Sequence, residues 1–199
     1  MKQAGPFAIL ALPALWLLRH FQDLPERIPV HWNVSGRVDH YVPRTPMAAA
    51  FPMLLGAAVC ALTAVMQRSL ARTPMGTATA RVMLAAEYFI ALLCCGIFIA
   101  MASDGRLLTP VLLGSLLLVL GLVLFAATSL RGLPQEPVRN PAAWRAGIFY
   151  YDPQDPALFV PKRSGLGYTF NFGRPSAIAL TIAILVIPLA IALVALSGR

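Results

Sequence analysis

Between Arg106 and Arg131 no residue carries a charge, and most are Leu or Val. About 20 apolar residues in helical form cross the hydrocarbon core of a bilayer, so this run alone is long enough to span one. It has company. Residues 47–67 and 176–196 are also free of charge, residues 82–102 contain only Glu87, and residues 4–22 contain only Arg19. The chain is 58% hydrophobic and 12% charged, against roughly 45–50% and 25% in a soluble domain. A fold of this size cannot bury so much apolar surface in its own interior. The expected class is an all-α integral membrane protein with five transmembrane helices, a short extracytoplasmic hairpin-like loop and a cytoplasmic β-hairpin-like segment.

The expected divisions are residues 1–22 as the first span, 23–46 as the outer loop and 47–130 as spans two to four. Residues 131–175 form the cytoplasmic segment, and 176–199 the fifth span and tail. The first run starts after Lys2 like a signal peptide, but it ends in Arg19, His20 and Phe21 rather than at a small-x-small cleavage site. It reads as an uncleaved span, with Pro6 in its first turn and Pro13 placed to kink it. A polar connector runs from Arg68 past Arg72 to about Arg81, broken by Pro74, Met75 and Gly76. The third span then begins at Val82. Residues 103–106 read as a tight turn. Gly114 and Gly121, seven residues apart, share a face suited to close helix packing. Pro188 lies inside the fifth span.

Orientation follows from basic residues, which are retained on the cytoplasmic side. One side takes Lys2, Arg68, Arg72, Arg81, Arg131, Arg139, Arg145, Lys162, Arg163 and Arg174. The other takes the smaller set Arg19, Arg27, Arg37, Arg44, Arg106 and Arg199. This predicts a bacterial inner-membrane protein with its N-terminus inside. The net charge of +8 is spread between apolar runs, which fits this rule and attraction to anionic lipid. It does not form the single basic patch of a nucleic-acid binder, so no direct nucleic-acid partner is expected.

Residues 23–46 contain Pro25, Pro29, Pro43 and Pro46, which exclude a continuous helix. Residues 28–33 and 38–42 read as extended segments joined by a turn at 34–37. His31 and Asn33 fall on one face of the first strand, and Val30 and Trp32 on the other, toward the membrane. His31, Asp39, His40 and Asp23 are zinc-type donors. Two histidines with no cysteine and no Glu-x-x-His partner make a weak set, however, and the favoured reading is that His31 and Asn33 hydrogen-bond the loop into shape. No metal and no cofactor are expected. Cys60, Cys94 and Cys95 lie in apolar runs without ligand spacing and read as small packing residues.

In the C-terminal segment, residues 148–151 and 157–160 read as strands around Asp152, Pro153, Gln154, Asp155 and Pro156, a run of strong turn formers. Lys162 and Arg163 follow, then Tyr168, Phe170 and Phe172 in alternation. Together they suggest an aromatic hairpin against the membrane face with its cations at the headgroups. Glu87 sits about six residues into the third span, roughly 9 Å deep at 1.5 Å per residue. A carboxylate there is costly and marks a functional candidate. It could relay protons, pair with Arg81 or Arg68, or snorkel back to the interface. Catalytic signatures such as GxSxG, HExxH, GxxxxGK[ST] and GxGxxG are missing, so no enzyme is expected.

Leu24, Pro25, Ile28, Pro29, His31, Trp32, Asn33, Gly36 and Asp39 match the N-terminal signature of the SdpI-like family, small multi-span bacterial membrane proteins with a domain of unknown function 1648. The family often has Gly at position 40, where this chain has His40. Trp144, Gly147, Phe149, Tyr150, Tyr151, Pro153, Asp155, Pro156, Phe159, Val160, Pro161, Lys162, Arg163, Gly165, Gly167, Asn171 and Pro175 resemble a second membrane-associated family of unknown function, with Asp152 in place of its usual Asn. The SdpI-like family includes an immunity protein that protects its producer from a secreted peptide toxin and recruits a repressor to the membrane. The resemblance gives weight to Pro29, His31, Asn33, Gly36 and Asp39 as an external ligand-binding surface. The second motif supplies Trp144, Tyr150, Tyr151, Asp155, Lys162 and Arg163 as cytoplasmic partner-binding candidates. The implied role is sensor- or immunity-like: membrane lipid around the chain, a secreted peptide or other envelope-active agent outside, a cytoplasmic regulator inside. The alternative is a small transporter or transporter subunit using Glu87.

Overall fold

A computed structural model describes residues 4–70, 73–134, 137–164 and 167–196. Lys2, Arg72 and Arg199 of the charge count, and Gly165 of the second motif, lie outside the described residues. Five helices carry the fold: α1 (Gly5–His20), α2 (Pro46–Arg68), α3 (Pro74–Ala102), α4 (Leu108–Leu130) and α5 (Pro175–Leu196). Four of them, α2 to α5, are long and apolar enough to cross a bilayer. The chain is a mostly helical membrane protein, and its described residues form three small two-stranded sheets. α1 has 16 residues, a rise of about 24 Å, and continues into a 3-10 turn over Phe21–Asp23.

α3 departs from expectation at its start. It begins at Pro74, not near Val82, and runs for 29 residues. Proline belongs at the first position of a helix, where its missing N–H has no partner to lose. Thr73 caps the end, its Oγ1 accepting from Gly76 N at 3.0 Å. The expected breaker is therefore a helix start.

α2 and α3 pack as a central pair. α1 lies across both, α5 flanks α2, and α4 flanks α3. Leu10, Cys60, Ala91 and Cys94 interlock α1, α2 and α3. Gly56 makes this possible: a Cβ there would sit 3.0 Å from both Cys94 Sγ and Leu10 Cδ2. The close approach of α4 to α3 uses Gly96, whose Cβ would sit 3.0 Å from Val111 Cγ1. Gly114 and Gly121 face open space instead, so the expected glycine face of α4 points away from the bundle.

The polar segments occupy opposite ends. Strands β1 (Arg27–Trp32) and β2 (Val38–Pro43) pair antiparallel where α1 and α3 end and α2 and α4 begin. Ile28, Val42 and Leu24 enter one core with Leu17, Ala49, Met53, Phe98 and Met101. At the other end, the C-terminal segment forms a small cap with its own core of Ala143, Trp144, Tyr150 and Val160.

Candidate functional site

The hairpin is built by its own polar atoms. Asn33 Oδ1 accepts from Ser35 N and Arg37 N, each at 3.0 Å, and Asn33 N donates to Arg37 O at 2.9 Å. Gly36 takes φ +73 to complete the turn, a conformation that favours glycine. Arg44 clasps the base: Nη1 donates to Gln22 O and Leu24 O at 2.6 and 2.8 Å, Nη2 to Gln22 Oε1, and the guanidinium lies over the Phe21 ring. Sequence reading passed over Arg44, because its partners lie about 20 residues away and two of them are backbone carbonyls that no local pattern marks. Trp32 packs against Gly105 in the α3–α4 turn, where a Cβ would fall 2.8 Å from Trp32 Nε1.

This leaves a defined surface. His31 Nδ1 and Asp39 Oδ1 are 2.5 Å apart, with side chains 67% and 42% exposed. His40 is exposed and lies opposite His31 in the register. Asp23 pairs with His20 at 2.9 Å instead. Among the described residues no three His, Cys, Asp or Glu side chains gather as for a metal. Pro29 is buried beneath the surface. Asn33 and Gly36 shape the turn, so the groups open to a ligand are His31, Asp39 and His40.

Glu87 is fully buried between helices. With α3 starting at Pro74, it lies 13 residues in, about 20 Å along the axis. It neither snorkels nor pairs with Arg68 or Arg81. Thr63 Oγ1 donates to its Oε1 at 2.8 Å, and Gln67 Nε2 donates to the same oxygen. The Thr63 hydroxyl also lies 3.0 Å from the Val59 and Cys60 carbonyls. Oε2 is buried and has no partner among the described residues.

The cap is wired differently from the expected hairpin. Residues 148–151 and 157–160 do not pair with each other. β4 (Phe149–Tyr150) pairs with β3 (Trp144–Arg145), and β5 (Phe159–Pro161) with β6 (Tyr168–Phe170). The tight turn lies at Ala146 and Gly147, φ +49 and +74, closed by Ile148 N to Arg145 O. Two positive φ values in a two-residue loop are the type I′ signature, which matches strand twist. Residues 152–156 instead wrap around Asn171, which is completely buried. Its Nδ2 donates to the carbonyls of Asp152, Asp155 and Ala157, and its Oδ1 accepts from Asp152 N and Gly173 N. Asn171 is the residue that sequence reasoning undervalued.

Trp144 and Tyr150 are core residues, 8% and 0% exposed, in an edge-to-face pair at 5.4 Å. Asp155 is structural as well. Arg139 Nη1 donates to both its oxygens at 2.8 and 3.0 Å, and Tyr150 Oη donates to Oδ2 at 3.1 Å. Burial raises the Asp155 pKa, but the Ala157 N–H, Arg139 and Tyr150 outweigh it and hold the carboxyl below its ordinary value. Burial, then the Asp155 hydrogen bond and the charges of Asp155 and Asp152, push the Tyr150 phenol up to about 12. The Asn140 amide holds Asp152 low. Of the expected partner-binding residues, Tyr151, Lys162 and Arg163 are at the surface. Ile148 and Phe149 join them, 64% and 50% exposed. The exposure of Phe149 and Tyr151 was readable from strand parity, with Tyr150 pointing in and its two neighbours out; Ile148 is exposed because it lies at the turn before β4.

Two family models match the chain. One, described as a domain of unknown function (DUF1648), covers residues 8–56. The other, a family of unknown function (DUF5808), covers residues 153–178. No curated protein and no solved structure matches. The first match takes in α1, the hairpin and the start of α2. The second takes in the Asn171-centred part of the cap and the start of α5. Each polar module of this membrane protein thus carries a domain of unknown function.

Proposed function

We propose that this chain is a non-enzymatic, sensor- or immunity-like protein of the SdpI-like kind in the bacterial inner membrane. It crosses the bilayer five times with its N-terminus inside. The hairpin faces outward and meets a secreted peptide or other envelope-active agent. The cap faces the cytoplasm and meets a protein regulator, without contacting nucleic acid itself. One observation carries this reading: two self-shaped polar modules sit at opposite ends of one apolar bundle, each with functional groups left open over a buried base. His31, Asp39 and His40 are the open groups of the hairpin, and Tyr151, Lys162 and Arg163 those of the cap. The basic residues around the cap supply the orientation.

Glu87 supports a second reading, a small transporter or transporter subunit. A buried carboxylate with one unpartnered oxygen is the kind of group that carries protons through a membrane. Three measurements test the orientation and separate the readings. In a cysteine-free background, an impermeant maleimide should label Val34→Cys in intact cells and Ser164→Cys only after lysis. A cytoplasmic partner should co-purify with the intact chain, and a Tyr151→Ala, Lys162→Ala, Arg163→Ala triple variant should lose it. Solute uptake that fails in Glu87→Gln while tolerance to envelope-active peptides is unchanged would favour transport.

A further inference from the structure

A cleft of about 770 Å³ runs along α1 and α3 beneath the α3–α4 turn. Ligand sites commonly have volumes of this order. Its walls include Leu12, Leu92 and Ile99, which are 68%, 42% and 46% exposed. Its polar residues, Asp23, Ser103 and Arg106, stand at one end. From Leu92 to Ala102 the wall rises about 15 Å. Charge and apolar surface are therefore separated along one axis, which is the profile of an amphiphile.

The mouth has unused valence of both signs. Arg106 Nε donates to Ser103 O at 3.0 Å, and its terminal nitrogens make no hydrogen bond among the described residues. A guanidinium fork suits phosphate. Asp23 uses Oδ2 on His20, which leaves Oδ1 for an amine. Trp16, stacked on His20 at 4.8 Å, stands beside them as an interfacial aromatic does.

We propose that this cleft binds one phospholipid molecule of the bilayer. An acyl chain lies on Leu12, Leu92 and Ile99, the phosphate meets Arg106, and a headgroup amine meets Asp23. A helix of a second copy would instead press apolar side chains onto Arg106 and Asp23 and strip both of water at a cost. The proposal does not depend on which side of the membrane the hairpin faces.

The test is native mass spectrometry of the full chain. The protein is taken from nanodiscs of equal phosphatidylethanolamine and phosphatidylglycerol and released in mild detergent. One retained phosphatidylethanolamine per chain is expected. Arg106→Gln, at an exposed position, should raise the lipid's apparent dissociation constant about tenfold, the weight of one charge-assisted hydrogen bond. Leu92→Trp should fill the cleft and expel the lipid, while Leu120→Trp on the open face of α4 should keep it. If Leu92→Trp fails to fold, Arg106→Gln and Asp23→Asn carry the test alone. Retention of either lipid equally by wild type and Arg106→Gln overturns the proposal. So does a dimer that Leu92→Trp disperses, because a second copy would then occupy the cleft.

Discussion

The hairpin and the cap are both small and polar, yet they are held by opposite means. The hairpin has almost no core of its own. Ile28, Val42 and Leu24 drop into the helical core, and Trp32 rests on the α3–α4 turn. The cap owns its core and gathers its backbone around the amide of one residue, Asn171. One bridge from its sheets to the α2–α3 connector is the pair of hydroxyls on Tyr168 and Thr73, 3.2 Å apart. A module welded into the bundle shares its stability. A module with a private core can melt alone.

The sharpest way to break this comparison is Asn171→Ala. It strips partners from the Asp152 and Gly173 N–H groups and from three carbonyls at once. The cap should lose about 4 kcal/mol, and segment-resolved hydrogen exchange should rise over residues 141–174 while the hairpin stays protected. Ile28→Ala should cost about 3 kcal/mol as a core truncation. Here the hairpin and the facing ends of α1 and α3 should lose protection together and leave the cap untouched. Arg139→Ala should cost the cap about 2 kcal/mol, because it leaves the Asp155 carboxylate buried with half its partners. Proteolysis near residue 155 would report it.

Titration gives a smaller contrast. Asp155 is held below the ordinary aspartate pKa, so its stabilisation is complete above about pH 4 and fades as pH falls toward the lower folded value. Tyr150 is raised from 10.0 to about 12, so its contribution is complete below pH 10 and fades as pH rises to 12. Cap exchange should therefore quicken at both extremes, and Tyr150→Phe should remove the alkaline limb. The smallest effect is His31→Ala, within about 1 kcal/mol, because an exposed side-chain hydrogen bond contributes little. A large loss of hairpin protection in that variant would show that the pair builds the hairpin rather than decorating it.

The helices were legible because a long uncharged run has few alternatives in water. The hairpin was legible because four prolines exclude a continuous helix and two extended segments flank a turn, and β1 and β2 pair across it. The cap was misread for a physical reason. Residues 152–156 hold the strongest turn formers in the chain, but turn propensity does not say which segments a turn joins. Asn171 gathers bonds from residues up to 19 positions away, and a lone asparagine between two phenylalanines gives no local sign of that. Pro74 misled in the same way, since proline ends a helix and begins one with equal ease. The partners of Glu87 lie on α2, and only the packing of α2 on α3 reveals them. Gly114 and Gly121 show the converse: a shared face is readable from spacing, but the neighbour it meets is not.

Trp32 resting on Gly105 also has a consequence in time. The hairpin leaves the ribosome roughly 70 residues before its seat does. At synthesis rates of about 5–20 residues per second, it waits some 4–14 seconds with its indole unseated. Biogenesis of this chain therefore passes through a stage in which its first ordered module exists without a footing, and the α3–α4 turn is the piece that ends the wait.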